Sequence, residues 1–352
     1  MGPVHAIGFG EPTVKLARCS PPCSRIRSTA SCSSTRAPRP STARSSSPAA
    51  SRAARDHLVP RRVPRRRTIG ATSVTTSALN YRKGYEPLLP GVYTTVFPAV
   101  YRYYAGDEER AVADSLKHFD GLLMTTVAPE DVAAVIIEPI QGEGGYSACG
   151  VPPGPARACS GTGSADHRRG QSGYGRTGDM WAFQESGIVP DVVCVAKAIA
   201  NGLPLSAIVA SKATMSAWGK SAHGTTYGGN PVACAAGVAV LETIAEEHLL
   251  DNARARGTEL LNGLRELMAE HGSIGDVRGR GLMIGVEFVK DRGSRMPDGA
   301  AADAVIDRAR DAGLILLSCG IAHQTIRWIP PLDVTVPEVE ESLRIFEGAL
   351  KG

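Results

Sequence analysis

Pro190-Asp191-Val192-Val193-Cys194-Val195-Ala196-Lys197-Ala198 is the stretch of sequence that decides the fold. A short apolar run begins directly after the aspartate and ends at a single lysine, Lys197, which small and apolar residues follow. Apolar runs of this length are typical of strands buried on both faces of a parallel sheet. The stretch therefore predicts a buried strand that carries Lys197 at its end.

Segments with strand and helix patterns alternate on both sides of this stretch. Short apolar runs predict further buried strands over 133–137, 205–210 and 282–289. Apolar residues at helical spacing predict helices over 230–246, 251–271, 301–312 and 337–350. Strands interleaved with helices predict an α/β fold with a largely parallel sheet.

Composition excludes several classes of protein. The chain has 352 residues, of which 43% are hydrophobic and 21% are charged, so it has enough apolar material for a sizeable core. Disordered and collagen-like proteins are therefore excluded. The longest apolar runs are shorter than the roughly 18 residues that a membrane helix needs, so we expect no membrane partner.

Charge is distributed unevenly along the chain. Residues 1–70 contain 14 basic and two acidic residues and carry a net charge of +12, whereas the remainder carries −8. Between Cys19 and Arg67 the sequence is rich in Ser, Pro, Ala and Arg, which predicts disorder. Such a basic segment could also be a nucleic-acid-binding arm or a transit peptide. Neither aromatic interleaving nor a recognition fold accompanies it, so we expect no nucleic-acid partner.

Cysteine spacing gives no metal site. Cys19, Cys23 and Cys32 match no pair-of-pairs zinc pattern. The other five cysteines are scattered among mostly small or apolar residues, which is typical of reduced thiols in a cytoplasmic protein. We therefore expect no metal and a cytoplasmic location.

Lys197 can be interpreted in two ways. If the surrounding protein removes its amine from water, the pKa of the amine falls and the lysine can act as a Schiff-base nucleophile. Alternatively, the lysine extends to solvent from the end of its strand. The stretch alone favours the second interpretation.

The flanking sequences reverse that preference. Gly175-Arg176-Thr177-Gly178 precedes the lysine and His223-Gly224-Thr225-Thr226-Tyr227-Gly228-Gly229-Asn230-Pro231 follows it. With this spacing the chain resembles the class III aminotransferases, which are pyridoxal-phosphate-dependent enzymes of fold type I, and within them the 4-aminobutyrate and acetylornithine branch. The resemblance implies a large α/β domain over 67–248 and a smaller C-terminal α+β domain over 249–352. Residues 1–66 and 149–170 are atypical of the family.

The resemblance assigns cofactor contacts to three residues. Lys197 matches the lysine that links covalently to pyridoxal 5'-phosphate and then moves the substrate proton. Thr226 matches a hydroxyl that binds the cofactor phosphate of the neighbouring subunit, which implies a homodimer. Gln171 matches the residue that meets the hydroxyl of the cofactor ring. A turn hydroxyl that serves only its own loop remains the alternative for Thr226.

Three further residues match substrate contacts of the family. Glu143, in Gln141-Gly142-Glu143-Gly144-Gly145, matches a carboxylate that pairs with an arginine, here Arg327. The arginine can bind a substrate α-carboxylate in one half-reaction and be neutralised by the glutamate in the other. Arg67 matches the residue that binds the far carboxylate of an ω-amino acid. The alternatives are a structural ion pair for the first two and a solvated basic run for Arg67.

Two expected cofactor contacts are missing. The family has an Asp-Glu-Val-Gln run whose aspartate holds the pyridinium N–H, but residues 168–171 read Arg-Arg-Gly-Gln. An aromatic residue that stacks on the ring is replaced by Pro64. Both losses weaken the expected activity, because the cofactor withdraws electrons only while its ring nitrogen is protonated.

A shifted reading frame would explain both losses. Suitable codons for 165–170, read one base later, encode Leu-Ile-Ile-Asp-Glu-Val, and those for 57–66 encode a run that ends in Phe-His-Gly. We hypothesise that much of 19–66 and roughly 149–170 are frame-shifted, which the coding DNA would test. The segment 14–18 resembles a helix well inside the family's large domain, so we also expect an N-terminal truncation.

The resemblance implies a reaction and leaves alternatives open. We expect an aminotransferase that moves an amino group from an ω-amino acid, such as 4-aminobutyrate, to 2-oxoglutarate. An acetylornithine or diamine aminotransferase is one alternative. A catalytically impaired homologue of the same fold is the other.

Overall fold

The computed structural model describes residues 28–34, 56–60, 68–148, 164–169, 172–216 and 226–352. Three of these segments, 28–34, 56–60 and 164–169, are described as backbone only. In this part of the chain no helix is both long enough and apolar enough to cross a membrane.

The larger sheet contains seven strands of the described part, in the order β1-β7-β6-β5-β4-β2-β3. Their bounds are β1 Ser28–Ser34, β2 Asp56–Pro60, β3 Val92–Thr95, β4 Val132–Ile137, β5 Ser164–Arg169, β6 Val192–Val195 and β7 Leu205–Ser211. Strands β3, β2, β4, β5 and β6 run parallel, whereas β7 is antiparallel to β6 and β1 to β7. The prediction of a largely parallel sheet is confirmed.

The smaller sheet is antiparallel and has the order β10-β11-β9-β8. Its strands are β8 Ile274–Arg280, β9 Met283–Phe288, β10 Leu317–Cys319 and β11 Thr325–Trp328. All six residues of β9 are buried, which agrees with the apolar run that predicted a strand here. Gly279 is part of β8, and the turn between β8 and β9 is confined to residues 281 and 282.

Helices cover both sheets. Within the described residues they are α1 Ile69–Ser73, α2 Val100–Tyr104, α3 Glu108–Thr125, α4 Lys212–Ser216, α5 Pro231–Glu246, α6 Leu249–Glu270, α7 Gly299–Asp311 and α8 Val336–Lys351. The four predicted helices are confirmed. The start of α5 is capped by Asn230, whose side chain accepts hydrogen bonds from two backbone N–H groups at 2.9 and 3.3 Å.

Two large apolar cores hold the elements together. One packs α6, α7 and α8 against the smaller sheet, and its most buried members include Leu260, Leu264, Ile284, Phe288 and Phe346. The other packs α5 and the 3-10 helix Lys197–Ala200 against β6 and β7. Because β6 contributes to the second core, the end of β6 is held in a fixed position.

The turn between β8 and β9 is packed directly onto the loop 176–179. The N–H of Leu282 donates to the carbonyl of Arg176 at 2.9 Å. Gly281 has φ +52°, and a Cβ there would lie 2.5 Å from the carbonyl carbon of Thr177, so this position requires glycine. Asp179 accepts from Arg280 of β8 at 2.5 Å, which ties the loop to the smaller sheet.

Three strands lie in segments whose composition is atypical. We predicted disorder around 28–34 and 56–60, but both are strands of the larger sheet, and so is 164–169. The pairing of β2 and β5 with β4 uses only backbone N–H and C=O groups, so it is compatible with side chains that a buried strand rarely carries.

Candidate active site

Lys197 lies where β6 ends, at the carboxyl edge of the parallel strands. The four residues of β6 are buried, and the chain then enters a 3-10 helix with φ +58° at Lys197. Because the chain turns away here, the lysine is exposed at the edge of the sheet. The strand-end position is as predicted. Open α/β sheets bind their ligands at this edge.

Glu143 lies in the turn that follows β4. An isolated antiparallel bridge joins Ile140 to Ala148 and closes the turn. Inside it, the N–H of Gln141 donates to the carbonyl of Ser147 at 2.9 Å. Gly145 has φ +104°, a conformation that side chains rarely adopt. Glu143 therefore lies in a closed turn whose ends are joined by the bridge between Ile140 and Ala148.

Glu143 and Arg327 form an ion pair, although 184 positions separate them in the sequence. Nη1 of Arg327 lies 3.0 Å from Oε1 of Glu143, and the two side chains are 13% and 24% exposed. Arg327 lies on β11, so the pair joins the loop after β4 to the smaller sheet. The arginine of this pair is mostly buried, and about a quarter of the glutamate side chain is exposed.

The turn that carries Glu143 also makes two hydrogen bonds, one to β8 of the smaller sheet and one to the loop between β10 and β11. The N–H of Gly320 donates to the carbonyl of Glu143 at 3.0 Å. Nε of Arg278, on β8, donates to the carbonyl of Gly145, also at 3.0 Å. Arg278 is not among the residues predicted from the sequence. The signal was available, since Asp276, Arg278 and Arg280 alternate along β8 and therefore share one face of it.

Buried polar side chains lie beneath the ion pair. Tyr146 is fully buried in a cluster with Cys319, and burial raises the pKa of its phenol. Burial also raises the pKa of the Cys319 thiol to about 12, so this cysteine is a neutral thiol at pH 7. Arg176 donates to the carbonyls of Leu282 and Pro330. These groups fix the floor of the site.

Of the other predicted site residues, one lies within the described part of the chain and two lie outside it. Thr226 is exposed in the turn 226–229, directly before α5. Arg67 and Gln171 lie outside the described residues. The contacts of the described chain thus bring together Glu143 and Arg327, but they do not test the roles of the other four.

The backbone of β5 lies where a cofactor-binding strand is expected. It runs parallel between β4 and β6, with Arg168 opposite Cys194 and Arg169 opposite Val195. Position 168 thus lies one residue before the level of Val195, where β6 ends, and Lys197 follows Val195 by two residues. The lysine fits covalent attachment of a carbonyl cofactor, but an arginine at 168 does not supply the acid that would hold a pyridinium N–H.

The family model for aminotransferase class III matches residues 66–152 and 170–350. The chain belongs to the class III aminotransferase family. Membership assigns pyridoxal phosphate as the cofactor and fold type I as the fold, as predicted. The match leaves out 153–169, most of the second atypical window.

Curated relatives and solved structures agree with this class III assignment. The 5-aminovalerate aminotransferase of Pseudomonas putida is 35% identical over 289 residues, which are 80% of this chain and 65% of that protein. The 4-aminobutyrate aminotransferase of Escherichia coli K12 is 36% identical over 285 residues, 78% of this chain and 64% of that protein. The chain therefore spans less than two thirds of the length of either relative.

The structure of an amine transaminase from an uncultivated Pseudomonas species, in its PLP-bound form, superimposes with a TM-score of 0.88. It is 28% identical, and the match covers 99% of this chain and 83% of the other. The arrangement of both sheets is therefore that of a class III aminotransferase.

Proposed function

We propose that this class III aminotransferase moves an amino group from an ω-amino acid, such as 4-aminobutyrate or 5-aminovalerate, to 2-oxoglutarate. The observation that carries the proposal is the partly exposed ion pair between Glu143 and Arg327. An ω-amino acid has no carboxylate beside its reacting carbon, whereas glutamate has one. An arginine that can exchange a glutamate partner for a substrate carboxylate serves both substrates.

Lys197 would hold the cofactor and act as the base. When bound, pyridoxal phosphate supplies an electron sink for the carbon that carries the amine. The Nζ of Lys197 would take the proton from that carbon and return it to the product side. The strand-end position supports this role, because β6 is buried and holds the lysine's backbone in place.

Arg67, Gln171 and Thr226 complete the proposed site. Arg67 would bind the distal carboxylate of the donor and so select an amine that is far from its acid. Gln171 would donate to the ring hydroxyl, and Thr226 to the cofactor phosphate of a neighbouring subunit. We therefore also propose a homodimer. The buried cysteines Cys194, Cys234 and Cys319 support a reducing, cytoplasmic location.

The test is a donor survey with the purified chain and added pyridoxal phosphate. We expect glutamate to form from 2-oxoglutarate with 4-aminobutyrate or 5-aminovalerate as donor. Faster turnover of acetylornithine or a diamine would instead assign the chain to that other branch.

Glu143→Gln should affect the two half-reactions differently. The variant leaves the charge of Arg327 without its partner when no substrate carboxylate is present, so we expect kcat/KM for 4-aminobutyrate to fall about tenfold, which corresponds to ~1.4 kcal/mol. The half-reaction with 2-oxoglutarate should be retained. Single-turnover kinetics of each half-reaction measure the split.

Glu341→Gln is the matched control for that substitution. Glu341 pairs with Arg344 at 2.5 Å on the exposed side of α8, away from the site. The Glu341→Gln substitution should leave both half-reactions unchanged. An equal loss in both half-reactions of Glu143→Gln would contradict the exchange of partners.

A catalytically impaired homologue is the second candidate, because residues 168–170 read Arg-Arg-Gly where the family has Asp-Glu-Val. Omission of 153–169 from the family match supports a displaced reading frame there. Replacement of 165–170 by Leu-Ile-Ile-Asp-Glu-Val tests this candidate. If only the replaced chain turns over the donors, the natural chain is the impaired homologue.

A further inference from the structure

All three nitrogens of the Arg278 guanidinium group contact an acceptor. Its Nε donates to the carbonyl of Gly145 at 3.0 Å, and its Nη2 also contacts that carbonyl. Its Nη1 lies 2.6 Å from Oδ2 of Asp276, and its Nη2 lies 2.6 Å from Oε2 of Glu287. A group held by two carboxylates in this way cannot rotate freely, so its direction toward Gly145 is set.

Glu287 is the less accessible of the two carboxylates. Its residue is 2% exposed, although it lies in the otherwise apolar strand β9. Besides Arg278 it pairs with Arg102 of α2, which also donates to the carbonyl of Arg295 at 2.7 Å. A buried carboxylate is tolerated when it is paired and hydrogen-bonded, and the loss of one partner is costly. Because Glu287 is buried, its carboxylate holds the Arg278 guanidinium in one orientation more firmly than a solvent-exposed carboxylate would.

Gly145 is two residues from Glu143 in the same closed turn. Among the contacts that the smaller sheet and its loops make with this turn are the ion pair at Glu143, the N–H of Gly320 and the guanidinium of Arg278. The first of these must break whenever a substrate carboxylate takes Arg327, under the proposed function. The other two can then keep Glu143 near enough to pair again.

We propose that Arg278 is a positioning residue for Glu143, and that Glu287 holds Arg278 in the orientation this requires. The inference rests on the proposed function. Arg278 anchors the turn at Gly145, so the Glu143 carboxylate stays beside Arg327 and competes with incoming carboxylates. The strength of that competition sets the relative affinity for substrates with and without an α-carboxylate.

Arg278→Lys tests the proposal, because lysine keeps the charge but loses the fork that meets Gly145 and Glu287 together. We expect glutarate, a dicarboxylate probe, to bind the full chain about three- to tenfold more tightly, while kcat/KM for 4-aminobutyrate falls by a similar factor. A merely structural role would weaken both. Glutarate affinity is measured by calorimetry and needs no turnover, so an inactive chain would sink the proposed function but not this inference.

A double variant sharpens the test. Arg278→Lys should have no further effect on glutarate affinity in a Glu143→Gln background, since its effect acts through Glu143. Equal effects in both backgrounds would overturn the proposal. Arg344→Lys is the matched control, because Arg344 also pairs with a glutamate but on the exposed side of α8.

Two measurements keep the test decisive. If Arg278→Lys does not fold, Glu287→Gln replaces it, since it keeps the side-chain volume and removes the charge that orients Arg278. If glutarate does not bind, the Nε–H resonance of Arg327 in arginine-labelled protein is compared with that of Glu143→Gln. In Arg278→Lys, or in Glu287→Gln if that replaces it, the Arg327 Nε–H resonance should move toward its position in Glu143→Gln. An Arg327 resonance that stays at the wild-type position would overturn the proposal.

Discussion

Lys197→Ala is expected to abolish covalent attachment of pyridoxal phosphate to the chain. Lys197 begins the 3-10 helix that follows the buried strand β6, at the edge where this fold binds its ligands. Loss of both the nucleophile and the base should lower kcat by at least about 10²- to 10⁴-fold, the contribution typical of a positioned proton-transfer group. Borohydride reduction followed by mass spectrometry of the intact chain measures the attachment without any need for activity.

Lys212→Ala is the matched control. Lys212 is an exposed lysine at the start of α4, only 15 positions along the chain. It should leave both the attachment and the rate unchanged. If Lys197→Ala still carries reducible cofactor at the wild-type level, another lysine holds it and the assignment of Lys197 is wrong.

Gly257→Ala should produce the largest loss of stability. Gly257 lies inside α6, where alanine would ordinarily add about 1 kcal/mol of helix stability. A Cβ at this position would lie 2.4 Å from the carbonyl carbon and oxygen of Gly281, and these backbone atoms cannot rotate away. Overpacking of this kind costs about 1–3 kcal/mol and occasionally more. We expect a decrease of about 2 kcal/mol in the free energy of unfolding, measured by urea denaturation.

Gly348→Ala should change the free energy of unfolding in the opposite direction. Gly348 lies inside α8, and a Cβ there would meet nothing within 4 Å. The same substitution should therefore raise the free energy of unfolding by about 0.5–1 kcal/mol. Stabilisation of the chain by both substitutions would show that the contact between α6 and the turn at Gly281 is not tight.

Local patterns predicted most of the secondary structure. The apolar run before Lys197 reflects a strand that is buried as a whole. The helical spacing in the C-terminal third reflects helices that bury one face. Both patterns are visible in a single sequence. The strands at 28–34 and 56–60 were not predicted, because their pairing uses backbone groups that composition does not report. Their partner strands are far away in the sequence.

The site was predicted in part, and for a different reason. Glu143 and Arg327 were paired only through family resemblance, since no local pattern joins positions that are 184 residues apart. Arg278 and Glu287 were missed, although an acid within an apolar strand is an unusual feature of the sequence. Their partner at Gly145 is a backbone carbonyl, which every residue has, so the sequence cannot single it out.

The contact between the loop 176–179 and the turn at Gly281 has a consequence for how the molecule unfolds. The loop leaves no room for a Cβ at Gly281, and it cannot separate from the turn without breaking the hydrogen bond between Arg176 and Leu282. The two sheets should therefore melt together as one cooperative unit, with a single calorimetric transition instead of one transition for each sheet.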